Sequence, residues 1–168
     1  MNQTLEARAR RFGDNVNTDY IISSSRKRDT LDESVLVSWL FEAVDPAFAA
    51  SVKPGDVIVA GRNFGCGSAM EIAVTVLLAA GIRAVVAASF SRTFFRNAVN
   101  NGLLPIECDT SKIDEGDRLR MEIADTALTV RNVGKRRTLR GVPIGGPARA
   151  ILDAGGLVQY VRKHGGLP

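Results

Sequence analysis

A thiol, a hydroxyl, a cation and an acid stand close together in Gly61-Arg62-Asn63-Phe64-Gly65-Cys66-Gly67-Ser68-Ala69-Met70-Glu71. The interspersed glycines let main chain approach a ligand closely. A helix starting within this stretch would present free N–H groups and the positive end of its dipole, a setting that favours an anion. Two familiar phosphate-binding patterns do not fit. The dinucleotide fingerprint needs a third small residue where Met70 stands, and no Gly-Lys-Ser or Gly-Lys-Thr follows for a phosphate loop. Ser68-Ala69-Met70-Glu71 fits the capping box, which predicts Ser68 at the N-cap with Glu71 reaching back to it. Cys66, flanked by glycines, reads as a small buried thiol in a tight turn.

Cations gather in two short runs, Arg26-Lys27-Arg28 and Lys135-Arg136-Arg137, in a chain of net charge +4. A nucleic-acid reader would spread such charge along a stripe with interleaved aromatics. No stripe of that kind is present, so no nucleic-acid partner is expected. The second run reads as a solvated turn. The first leaves two readings open, a solvated loop or a contact for an anionic small molecule. Metal chemistry has few ligands to draw on. The chain has two cysteines, Cys66 and Cys108, and one histidine, His164. Two thiols cannot supply the four that an iron–sulfur cluster usually takes, and a self-contained zinc site or Ser-His-Asp triad has little support.

The elements that must hold these groups read as α/β. Met1 to Arg11, polar and charged, is expected to be a frayed start without a signal-peptide stretch. Asp14-Asn15-Val16-Asn17-Thr18-Asp19 reads as a polar turn. Apolar residues at helical spacing predict a helix over Leu31–Val44, ended by Asp45-Pro46. Val57–Ala60 is predicted as a strand, Ser68–Ala80 as a helix closed by Gly81, and Ala84–Ala88 as a buried strand. A second helix, Ser91–Asn101, stops at Gly102 before a strand at Leu104–Glu107. Three β segments follow, Arg118–Glu122, Ala127–Arg131 and Arg137–Val142, and Ala148–Asp153 and Leu157–Arg162 form a helical tail. A parallel βαβ centre with antiparallel strands around it is the expected architecture, in one compact unit of 168 residues. Apolar residues are 45% and charged residues 24% of the chain, as in globular proteins. No apolar run approaches the roughly 18 residues of a membrane span, so no membrane association and a cytoplasmic location are expected.

The stretch Gly61–Glu71 resembles the signature G-x-N-F-G-C-G-S-S-R-E-H-A of the small subunits of 3-isopropylmalate dehydratase and homoaconitase, and of the C-terminal swivelling domain of aconitases. The likeness extends over Gly13–Asp19, Val52–Gly61, Gly81–Ala87 and Ser89–Leu103, in the family's order. It implies a swivelling β/β/α domain with mixed parallel and antiparallel strands over residues 1–168. It also implies a hydro-lyase that removes water from a hydroxy di- or tricarboxylic acid and adds it back, as in leucine biosynthesis. A 4Fe–4S cluster held by a large partner subunit, and not by this chain, would act on the leaving hydroxyl. Ser68 matches the serine that acts as base toward the carbon-bound proton, with Gly67, Ala69 and Met70 lining the substrate beside it. Asp19 matches a position near the active site that orients a loop arginine or the serine; locally it also reads as an ordinary turn aspartate.

The sequence departs from the family pattern after Ser68. Where the family shows Ser-Arg-Glu-His, this chain has Ala69-Met70-Glu71-Ile72. The missing arginine is the one that grips a substrate carboxylate as a bidentate pair. A replacement is available in the loop after Asp19, where Arg28 falls near the family's substrate-selecting position. Arg26 and Arg28 are therefore expected to bind an acidic end of the substrate, with Met70 making another wall apolar. The alternative is a diverged, non-catalytic anion-binding or regulatory module on the same fold. Retained Ser68 favours catalysis; the absent arginine and histidine favour the module.

Overall fold

Alternation of side chains from Gln3 to Arg11 produces a strand where a frayed terminus was expected. Leu5, Ala7 and Ala9 face one core, while Arg8 and Arg10 face away toward acidic partners. The structure, a computed structural model, describes residues 3–168. Its strands are β1 (Gln3–Arg11), β2 (Val57–Ala60), β3 (Ala84–Ala87), β4 (Leu104–Glu107), β5 (Arg118–Ile123), β6 (Leu128–Asn132) and β7 (Arg137–Gly141). Its α-helices are α1 (Thr18–Ile21), α2 (Arg26–Asp29), α3 (Glu33–Leu36), α4 (Phe48–Ser51), α5 (Ile72–Ala79), α6 (Arg92–Asn101), α7 (Gly146–Asp153) and α8 (Leu157–His164).

The strands form one sheet in the order β4-β3-β2-β1-β5-β6-β7. From β1 to β4 neighbours run parallel, joined by helical crossovers; from β1 through β5 to β7 they run antiparallel. Thus β1 is the hinge strand between two halves of different character. The sheet also curls on itself. An antiparallel bridge joins Cys108 to Gly141, and the Val142 amide donates to the Glu107 carbonyl at 2.9 Å, so the end of β4 meets the end of β7.

Curling separates two cores according to the two-residue period of each strand. Val57, Val59, Val86, Ile106, Leu119 and Met121 point inside the curl. Ile58, Ala60, Val85 and Ala87 point outward, where α5 and α6 cover them with Val76, Leu77, Phe94 and Ala98. The mixed architecture matches the expected fold class.

Two helical expectations are corrected. Leu31–Val44 is not one helix: it breaks into α3, a 3-10 turn at Val37–Trp39, and a loop. Phe41 ends it, because its ring is fully buried against Phe12 and Phe48, at 4.2 and 4.8 Å between centroids. Its amide leaves the helical ladder to bond the Ile21 carbonyl at 2.9 Å, with φ at 58°. Packing against a distant strand end therefore overrides local periodicity. The second correction concerns Ser68–Ala80, whose helical part begins only at Ile72.

Candidate functional site

The site is built by extending the parallel sheet beyond its strands. Past β1 and β2 the chain continues as two loops zipped by main-chain bonds. Asn15 N–H donates to the Arg62 carbonyl at 2.8 Å, Gly65 N–H to Val16 at 2.8 Å, and Thr18 N–H to Cys66 at 2.9 Å. Asp14 accepts from the Arg62 amide at 2.7 Å, and Asn63 donates to the Asn15 side chain at 2.9 Å. The loop after β3 continues the same ladder on the far side. Phe64 donates to the Ser89 carbonyl at 3.0 Å, and Ser91 donates back to Phe64 at 2.9 Å. The glycine-rich segment is the middle rung of three, which is why both polar motifs flank it in space.

Gly65 needs its missing side chain. Its φ is +76°, and a Cβ would stand 2.2 Å from the Phe94 ring. Ser91 fixes this contact: its hydroxyl donates to the Gly65 carbonyl at 2.7 Å and accepts from the Phe94 amide as the N-cap of α6. Gly65→Ala is expected to lower stability by about 2–4 kcal/mol, from strain at positive φ plus overpacking. Chemical denaturation should show a lower midpoint with an unchanged slope.

Ser68 does not cap a helix, contrary to the capping-box expectation. Helix α5 starts after Glu71, which occupies the cap position in helical geometry with no side-chain cap bond. The reason is tertiary: the Ser68 carbonyl is drawn toward buried Thr18, whose hydroxyl donates to it at 3.0 Å. The Met70 amide donates to the same carbonyl at 2.9 Å, closing a turn where the first helical turn was expected. The Ser68 side chain is therefore exposed, and its hydroxyl has no hydrogen-bond partner among the described residues. The amides of Gly67, Ser68 and Ala69 are also unbonded there. A free hydroxyl and free N–H donors are groups to which an anionic oxygen can bond.

The remaining candidates fall on the loop that follows α1. Asp19, in the first turn of α1, accepts from the Ser24 amide at 3.0 Å and from its hydroxyl, and so anchors that loop. Arg26 forms a bidentate pair with Glu42 at 2.8 and 2.9 Å and lies 4.5 Å over the Trp39 ring. Its hydrogen bonds to Glu42 hold the Glu42 carboxyl below its usual range. Arg28 is exposed, and its guanidinium has no ion pair or hydrogen bond among the described residues. Met70 is buried, and its sulfur lies 3.0 Å from the Lys27 ammonium and 3.7 Å from the Ser24 hydroxyl. The structure thus brings Ser68, Gly67, Ala69, Met70 and the Asp19 loop together, while Arg26 turns to Glu42. Lys27, within the basic run, was not singled out by sequence reasoning. No local pattern marks it, since its contact is 43 residues away.

The two thiols differ in setting. Cys108 is buried between sheet ends, and burial, followed by the charge of Asp109, pushes its thiol up to about 12. Cys66 is half-buried in the turn. Among the described residues no three His, Cys, Asp or Glu side chains group as metal ligands, so the chain's own residues do not fit an iron–sulfur cluster. No helix among them is long and apolar enough to cross a membrane.

Comparison with known proteins places the chain in a family. The model of the aconitase C-terminal domain family matches residues 8–111. The chain is 44% identical over 160 residues to the methanogen homoaconitase small subunit of Methanocaldococcus jannaschii, covering 95% of this chain and 92% of the relative. It is 42% identical to the 3-isopropylmalate dehydratase small subunit of Methanosarcina mazei, covering 95% and 97%. It is 40% identical to the isopropylmalate/citramalate isomerase small subunit of Methanocaldococcus jannaschii, covering 97% and 96%. A crystal structure of 3-isopropylmalate dehydratase from that organism superposes with a TM-score of 0.92 at 42% identity, covering 97% and 96%. The three relatives' names differ in substrate.

Proposed function

The chain belongs to the aconitase C-terminal domain family, and on that premise we propose that it is the small subunit of a two-subunit hydro-lyase interconverting hydroxy di- or tricarboxylic acids. The observation that carries this reading is the exposed, unpartnered Ser68 hydroxyl beside the free amides of Gly67, Ser68 and Ala69. In the proposed reaction Ser68 Oγ accepts the carbon-bound proton during dehydration and returns it during hydration. A serine alkoxide is unfavourable near neutral pH, and fixed N–H donors in a site closed to water make it less so. The Gly67 and Ala69 amides are the donors within this chain. Met70 forms an apolar wall, Arg28 is available to an acidic end of the substrate, and Asp19 keeps the loop in place. Arg26, paired with Glu42, serves by ordering that loop.

Lewis-acid assistance to the leaving hydroxyl is assigned to a 4Fe–4S cluster in a large partner subunit. Residues 1–168 act as one swivelling unit against that partner, in the cytoplasm, with neither nucleic acid nor membrane as partner. The competing reading, a non-catalytic anion-binding module, draws on Met70 and Ile72 and on the same free amides. Purification of a tagged copy from its native cells without oxygen separates the two. Co-purification of an iron–sulfur protein in equal amount, active on a hydroxy acid by alkene absorbance, supports the hydro-lyase. Recovery of the chain alone from cells shown to express such a partner overturns it.

A further inference from the structure

We propose that Thr18 positions Ser68 for proton transfer. Its buried hydroxyl holds the Ser68 carbonyl in the turn and keeps this stretch out of the helix that its own residues favour. The inference rests on the hydro-lyase reading above and adds to it a positioning residue from the neighbouring loop.

Two local structures compete for Ser68. In the capping box that Ser68 and Glu71 encode, the serine hydroxyl would accept the Glu71 amide and the Glu71 carboxylate would accept the Ser68 amide. The Ser68 carbonyl would then take the Ile72 amide as the first helical bond. Both the hydroxyl and one of the N–H donors would be engaged in that arrangement. In the folded chain the Ser68 carbonyl instead accepts the Thr18 hydroxyl at 3.0 Å and the Met70 amide at 2.9 Å. Those two bonds fill its two lone pairs, and the Ile72 amide has no main-chain acceptor among the described residues. Thr18 is 2% exposed, so its hydroxyl depends on the Ser68 carbonyl for its donor bond.

The same residue sets the direction of the N–H donors. Thr18 N–H donates to the Cys66 carbonyl at 2.9 Å, and its hydroxyl donates to the Ser68 carbonyl. No peptide bond here is cis, and across a trans peptide the carbonyl and the following N–H point in opposite directions. Holding the carbonyls of Cys66 and Ser68 toward buried Thr18 therefore turns the amides of Gly67 and Ala69 away from it. That is the side on which Gly67, Ser68 and Ala69 are exposed. Those two amides are the donors assigned above to the Ser68 alkoxide. Gly67 permits the close pass between the held carbonyls: its φ is +94°, and a Cβ would lie 2.4 Å from the Asn17 side-chain oxygen.

The test pairs kinetics with a signal that does not need turnover. Thr18→Val removes the hydroxyl and keeps the side-chain shape, whereas Thr18→Ser keeps the hydroxyl. The assembled two-subunit enzyme is assayed by alkene absorbance on 3-isopropylmalate, citrate and malate. Thr18→Val should lower kcat by about 10–10³-fold and change KM by less than about threefold. Misaligned donors destabilise the alkoxide, so the rise of kcat with pH should also move to higher pH. Thr18→Ser should restore both to near the parent. In parallel, NMR of the full chain follows the Cα resonances of Ala69, Met70 and Glu71, which should move toward helical values in Thr18→Val and stay in Thr18→Ser. That movement supports the hold of Thr18 on the turn even in a complex inactive on every acid tried, an outcome that overturns the hydro-lyase reading alone. An active complex in which Thr18→Val keeps the parent's kcat and pH profile, or resonances of these three residues that ignore Thr18→Val, overturns the role of Thr18. Where Thr18→Val fails to fold, Thr18→Ala is read by the same criteria.

Discussion

Ser68→Ala is expected to lower kcat of the assembled enzyme by about 10²–10⁴-fold, the range for loss of a positioned proton-transfer group. The same substitution should leave thermal stability unchanged within about 0.5 kcal/mol, as for other surface changes. The two halves of this prediction are linked through geometry. Were Ser68 an N-cap, alanine would cost about 0.5–2 kcal/mol. Its hydroxyl has no partner among the described residues, and α5 begins beyond it, so no cap is there to lose. Thr18 holds the turn through the Ser68 carbonyl, which alanine retains. A loss of activity with an unshifted Tm therefore assigns Ser68 to chemistry. Full activity in Ser68→Ala would end its role as base.

Asp56→Asn is expected to cost about 3–5 kcal/mol of stability. Asp56 is 5% exposed and serves two arginines of β1. Arg8 donates to both its oxygens, at 3.0 and 2.6 Å, and Arg10 lies 3.5 Å away. Arg10 is 7% exposed, stacks over Phe48, and has one terminal nitrogen without a hydrogen bond. Removing the Asp56 charge leaves that buried cation with Glu115 alone, an acid whose side chain is 59% exposed. The Tm should fall by roughly 10 °C. A double variant, Arg10→Met with Asp56→Leu, should lose less, because no unpaired charge stays buried. Equal losses in the single and double variants would refute this account.

The same group sets an acid limit. Burial alone would raise the Asp56 carboxyl, but the hydrogen bonds of Arg8 and the Lys53 amide, with the charges of Arg8 and Arg10, hold it below its usual value. A depressed carboxylate stabilises the fold fully above its unfolded pKa, and that stabilisation disappears as pH falls through the folded one. The parent should therefore lose stability below about pH 4, and its advantage over Asp56→Asn should shrink over the same interval. A constant difference between the two proteins from pH 7 to pH 3 would contradict it.

Elements whose contacts are local were legible in the sequence. The strands at Val57–Ala60 and Leu104–Glu107 and the α6 helix up to Gly102 match their expected spans, because hydrophobic run length and a glycine stop are written within a few residues. The β1 strand was not legible: its charged residues resemble a solvated terminus until Asp56 and Glu115 are folded against them. The Leu31–Val44 periodicity is present, yet burial of Phe41 with Phe12 and Phe48 outweighs it.

By itself, the sequence determined the α/β class, the glycine-rich turn between a strand and a helix, the family, and the departure at Met70 and Ile72. Each of these is a matter of residue type and near spacing. Only the tertiary structure decided that Ser68 is free instead of capping, that Arg26 belongs to Glu42, and that Lys27 meets Met70. Those outcomes depend on partners 50, 16 and 43 residues distant. Which side chain reaches such a partner is set by how the parallel ladder continues past β1 and β2 into the loops, and local patterns carry no information about that registration.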